Sequence, residues 1–186
     1  EKLSIIDALE FVCEYAPNSR FIEETLQKYI REIEPLGQFS WEDELEKTPE
    51  LDQLYNLCLK MGRSNKSNNP AMWYYTAAFM DDLYGNTARA SRLLSLAEKS
   101  RSSDYIKESI KIFRIYLDAK LLPYDSYYEN RLFSQLKWLD TKIQSNIDDY
   151  VRNETARGYM LFSYQSYYYW NDMMRRILLA EVCPRM

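Results

Sequence analysis

Glycine is nearly missing from this chain. Gly37, Gly62, Gly85 and Gly158 are the only four in 186 residues, and that scarcity narrows the possible folds sharply. Sandwiches, barrels and doubly wound folds all use glycine in tight turns and at close backbone approaches. A helical protein needs it only at a few helix ends. The apolar pattern points the same way, because hydrophobic residues recur at helical spacing in segment after segment. The sequence predicts an all-α fold.

The helices can be placed by their caps. In "LSIIDALEFVCEYA", Ser4 and Asp7 mark a start, and Ile5, Leu9, Val12 and Ala16 form a stripe that Pro17-Asn18 ends. Ile22, Leu26, Tyr29, Ile30 and Ile33 make a second stripe. In "TPELDQLYNLCLKMG", Thr48 caps, Pro49 takes the first helical position, and Gly62 follows the last turn. The buried set there is Leu51, Leu54, Tyr55, Cys58 and Leu59. The polar "RSNKSNN" then reads as a linker. Beyond it, a helix from Asn69-Pro70 stops at Gly85, which takes a left-handed conformation. Thr87 caps a helix carrying Leu93, Leu94, Leu96 and Ala97. Ser103 and Asp104 open one with Ile106, Ile110, Phe113 and Leu117. After Pro123, Ser126 and Glu129 read as a capping box above Tyr128, Leu132, Leu136, Leu139 and Ile143. The expected organisation is N-terminal helices over 1–62, a linker-like loop over 63–69, and helical repeats over 70–186. Short connections make neighbouring helices antiparallel.

Within that region, "AMWYYTAAFMDDLYGNTARASRLLSLAEK" resembles a tetratricopeptide helical hairpin. Trp73, the small Ala78, the turn at Gly85, then Ala90, Leu94 and Ala97 stand at the spacing of that pattern. Two helices cross closely only where side chains are small. Asp81 stands where tyrosine is usual, Ala88 replaces an aromatic, and no proline closes the unit. A degenerate second unit runs from Tyr105 to Ile143. The phrases "FRIYLDAK", "LKWLDTKI" and "YYYWNDMMRRILLAEVCPRM" are also similar to large, uncharacterised exported proteins of gut anaerobes. That resemblance implies export and a helical array, and carries no known activity. The chain starts at Glu1 and reads as an excised piece of a longer protein.

Little chemistry is on offer. There is no histidine, which removes Ser–His–Asp and Cys–His sites and the His-containing zinc patterns. Cys13, Cys58 and Cys183 lack metal-ligand spacing, and the first two lie in apolar stripes, so they read as buried thiols. Isolated glycines cradle no phosphate. The adjacent acids Glu23-Glu24, Asp81-Asp82 and Asp148-Asp149 point about 100° apart on a helix and read as solvated edges or helix termini. No catalytic residue, metal or cofactor is expected. A net charge of −4 opposes nucleic-acid binding, and no apolar run reaches the roughly 18 residues of a membrane span.

What remains is the stretch "YMLFSYQSYYYWNDMMRRILLA". Tyr159, Phe162, Tyr169, Trp170, Met173, Ile177 and Ala180 fall on one arc and read as core. Tyr164, Tyr168, Asp172, Arg175 and Arg176 lie on the opposite face and are the candidate ligand-binding residues. Rings beside carboxylate and guanidinium groups suit peptides or sugars. Trp73, Tyr74 and Tyr75 read as packing, and "WEDELEK" as solvated surface. The function expected is a non-catalytic interaction or scaffold module, binding a protein or peptide partner or neighbouring repeats of the same longer chain. The alternative is a cell-surface glycan binder, by analogy with starch-binding lipoproteins built on similar helices. An acid-dependent glycoside hydrolase ranks last.

Overall fold

The computed structural model describes residues 4–26, 29, 48–153 and 176–185. These are all-α, with no strand among them. The helices are α1 (Ile5–Tyr15), α2 (residues 20–26), α3 (Pro49–Arg63), α4 (Pro70–Leu83), α5 (Thr87–Lys99), α6 (Asp104–Leu121) and α7 (Ser126–Asn153). A π-helical turn over Arg176–Val182 and a 3-10 turn over Cys183–Arg185 follow. No helix among the described residues is long and apolar enough to cross a membrane.

Several starts lie where the sequence places them. Ser4 Oγ accepts from the Asp7 N–H at 3.1 Å, and Asp7 accepts from the Ser4 N–H, closing a capping box on α1. Thr48 Oγ1 accepts from Leu51, ahead of Pro49 at the first position of α3. Two caps differ from expectation. Thr87 lies inside α5, Asn86 holds the cap position, and the Thr87 hydroxyl turns to Asp82 Oδ1 at 2.9 Å. At α7 the capping carboxylate is Asp125, which accepts from the Tyr128 N–H at 2.8 Å, one residue before the predicted Ser126. A short acidic side chain just before the first turn outcompetes the serine behind it.

The first of two compact units ends at Ile110, and α4 is its centre. Every residue from Ala71 to Asp81 is buried, so this helix has no solvent face. A helix apolar on all sides must be enclosed, and α3 and α5 both pack against it. Trp73, Tyr74 and Tyr75 are therefore packing residues, as expected. Gly62 proves to be an internal contact rather than a terminator. It lies within α3, and a Cβ there would stand 3.0 Å from the Tyr74 ring.

The α4–α5 turn closes as the sequence predicts. Gly85 has φ of 74°; its N–H donates to Asp82 O at 3.0 Å, and Asn86 N–H donates to Asp81 O at 2.8 Å. Those two bonds satisfy the last carbonyls of α4. Beyond the turn, Ala90, Leu94 and Ala97 are the buried face of α5. Leu96, expected in that stripe, is exposed, and Leu93 is half-buried. The loop over residues 64–69 is tied down by three contacts. Asn68 N–H donates to Asn18 Oδ1, Asn69 Nδ2 to Glu23, and Arg101 Nη2 to Ser67 O.

The second unit begins at Lys111 and has its own core. Ile112, Ile115 and Ala119 of α6 meet Tyr128, Leu132, Leu139 and Ile143 of α7, with Ile177 and Val182 from the C-terminal turn. The α7 stripe is the predicted one, Leu136 being half-buried at its edge. Arg185 donates to the Ala119 and Leu122 carbonyls, and Arg131 pairs with Asp118.

Two substitutions test this packing. Ala90→Leu should cost about 1–3 kcal/mol, because added methylenes have no room in a close crossing. Gly85→Ala should cost about 1 kcal/mol through the left-handed φ. Both are read as shifts in the urea midpoint at unchanged slope, and an unshifted midpoint contradicts the assigned position.

Candidate functional site

Tyr164, Tyr168, Asp172 and Arg175 lie outside the described residues, as does the "WEDELEK" stretch. Arg176 opens the π-helical turn, and its side chain is outside them too. So are the side chains of Asp148 and Asp149.

An aromatic surface does exist elsewhere, on α1 and α2. The buried residues of α1 are Ile6, Leu9 and Cys13, so of the expected Ile5, Leu9, Val12 and Ala16 stripe Leu9 is buried, Val12 is half-buried, and Ile5 and Ala16 are exposed. The physical reason is that α1 is apolar over most of its circumference. One arc meets α3, and the other is left outside. On that outer arc Phe11 is 61% exposed, Tyr15 70%, and Phe21 of α2 60%. Phe11 and Tyr15 stand one turn apart with ring centroids at 4.6 Å. The Arg20 guanidinium lies 5.4 Å over the Phe21 ring. Between the helices runs a shallow groove of about 140 Å³, lined by Ile5, Ala8, Leu9, Val12, Phe21 and Ile22. Thr25 completes this mostly apolar lining, to which Phe21 contributes a ring and Phe11 and Tyr15 do not. The sequence signal was present in Phe11 and Tyr15, a pair four apart that belongs to no predicted stripe.

A second cleft, about 260 Å³, opens between α1 and α3, where Cys13 meets Glu10, Glu14, Lys60 and Lys66. Burial, with help from Glu10, pushes the Cys13 thiol up to about 11, and Lys60 only partly opposes it. Burial also raises the Cys58 thiol far above its ordinary range. Both are thiols at neutral pH, and the thiol is the unreactive form. Each cavity is smaller than the roughly 300–1,000 Å³ that encloses a small ligand.

A buried carboxylate of the first unit, Asp81, is fully committed to structure. Asp81, which the sequence placed at a solvated edge or a helix terminus, stands in the last turn of α4 with no exposed surface. Arg89 Nε approaches its two oxygens at 2.7 and 2.8 Å, Arg89 Nη2 donates to Oδ1, and the Tyr55 hydroxyl donates to Oδ2 at 3.1 Å. Arg89 also lies over the Tyr55 ring at 5.3 Å. Burial first, and then the Asp81 charge, pushes the Tyr55 hydroxyl up to about 12. The hydrogen bond to Asp81 raises Arg89 as well. The phase of α4 aims Asp81 between α3 and α5, while its neighbour Asp82 turns aside to Thr87. This is a clamp across three helices, with both carboxylate oxygens taken. Nothing in the single sequence pairs Asp81 with Tyr55, because their contact spans two helices.

Comparison with known proteins adds no relative: no family profile, curated protein or solved structure gives a significant match.

Removing one member of the clamp is expected to be costly. Arg89→Ala strands the Asp81 carboxylate and should destabilise the protein by about 3 kcal/mol, somewhat less than a fully buried pair because Arg89 is itself half-exposed. Thermal unfolding checks it, and a change within error means the pair carries no stability. Thiol titration of the native protein at pH 8 should show the exposed Cys183 reacting rapidly and the buried Cys13 and Cys58 only after denaturation. Rapid reaction of either buried thiol contradicts the α1–α3 packing.

Proposed function

We propose that this chain is a non-catalytic helical interaction module, tetratricopeptide-like in architecture, that docks a protein or peptide partner. The observation that carries the reading is the aromatic, apolar face of α1 and α2. Phe11, Tyr15 and Phe21 are each more than half exposed, and Phe21 borders a mostly apolar groove between the two helices. Clustered exposed aromatics of this kind mark recognition surfaces, because burying them on a partner recovers the free energy lost to water. The fixed ring pair of Phe11 and Tyr15 loses little entropy on binding. The repeat-like reading is supported by the α4–α5 hairpin, with its turn at Gly85 and small residues Ala90 and Ala97 at the crossing.

Selection from a random peptide library displayed on phage tests the reading, with the Phe11→Glu/Phe21→Glu double variant as counter-target. Both side chains are exposed, so circular dichroism and Tm should be unchanged. The expected result is a recurring motif that binds the native chain and loses at least about tenfold in affinity, 1.4 kcal/mol, on the double variant. No motif, or one indifferent to both substitutions, overturns the proposal.

A further inference from the structure

Two of the three thiols face the same helix junction. Cys13 stands on the arc of α1 that meets α3, 3% exposed, and Cys58 is fully enclosed on the buried side of α3. Cys13 lines the cleft of about 260 Å³ together with Leu57 and Met61. Those two are one turn apart on α3, and Cys58 lies within the turn they bound, about 60° round the helix from Met61. A side chain that reaches both Leu57 and Met61 is thereby brought to the height of Cys58. The electrostatics agree, since burial first and then charge on Cys13 raise the Cys58 thiol. We infer that Cys13 and Cys58 are a redox pair, which a low-molecular-weight disulfide such as oxidised glutathione converts to a disulfide fastening α1 to α3.

In the folded, reduced chain both sulfurs are protonated and covered, so the exchange starts where α1 has come away from α3 or has not yet docked. There a Cys13 thiolate attacks one sulfur of oxidised glutathione and expels the other as glutathione thiolate. As α1 approaches α3, the Cys58 thiolate attacks the Cys13 sulfur and expels the second glutathione thiolate. Two cysteine thiols are oxidised, one small disulfide is reduced, and the two protons leave with the two glutathione thiols. A metal suits the pair less well. Structural zinc takes four ligands, and among the described residues no group of three His, Cys, Asp or Glu could hold an ion. The link has a structural consequence. α1 is held against α3 through Ile6, Leu9 and Cys13, and it carries the exposed Phe11 and Tyr15. Oxidation fixes that helix covalently, and reduction returns it to non-covalent contact alone.

The test refolds the chain from urea at pH 8 in a buffer of reduced and oxidised glutathione. The product is alkylated and mapped by mass spectrometry without reduction. In most molecules a peptide carrying Cys13 should be joined to one carrying Cys58, with the loss of two hydrogens, and Cys58→Ser should abolish that product. The Tm of the linked chain should exceed that of the reduced chain by roughly 5 °C, because the bond closes a long loop of the unfolded chain. If the refolded chain precipitates, the native chain is equilibrated in the same buffer just below its urea midpoint and mapped in the same way. Both cysteines left free or capped by glutathione overturns the pair, as does either one joined to Cys183. A Cys13–Cys58 bond that leaves Tm unchanged or lowers it also overturns the inference, since the folded junction then does not accommodate the bond.

Discussion

A carboxylate with no access to water holds the first unit's helices in register. Asp81 belongs to α4, its cation Arg89 to α5, and the hydroxyl that completes its shell, Tyr55, to α3. Charge is costly to bury without partners, so the three helices can close over α4 only in the arrangement that brings those groups together. The apolar contacts around α4 supply most of the driving force, but they are tolerant of small slips. The bidentate guanidinium is not. The turn at Gly85 works with it, since the Asp81 backbone carbonyl accepts from Asn86 while its side chain meets Arg89. One residue thus serves the helix end and the helix packing together.

The enclosure of α4 also explains why α1 has a face to spare. α1 reaches the first unit's core through Ile6, Leu9 and Cys13 against α3, and only that arc is covered. The outer arc keeps Phe11 and Tyr15 in solvent, where their apolar rings contribute nothing to the stability of the chain alone. The thiols are protonated, and the buried carboxylate is bound on both oxygens.

The second unit solves its packing by different means. α6 and α7 meet through branched aliphatic side chains, and the C-terminal turn adds Ile177 and Val182. Arg185 then donates to the carbonyls of Ala119 and Leu122, where the end of α6 leaves acceptors without helical donors. Lys111 lies 3.7 Å over the Trp138 ring, so a cation covers an aromatic that is only partly buried.

Much of this fold was legible in the sequence wherever the signal is local. Ser4 with Asp7, Thr48 with Pro49, and Gly85 each act within a few residues of themselves, and the structure uses all three as expected. The α7 stripe was equally plain, because one face of that helix is apolar and the others are not. Relations between elements were not legible. α1 has two apolar arcs, and periodicity cannot say which one α3 will cover, so the exposed face was missed. Asp81 and Asp82 look alike in sequence, yet the phase of α4 buries one and turns the other toward Thr87. Gly62 reads as a helix end until Tyr74 is seen against it. The sequence by itself determined that the chain is helical and where most helices begin, since caps and turns are short-range hydrogen-bond chemistry. Only the tertiary structure decided which surfaces face water, because burial is a property of two elements together.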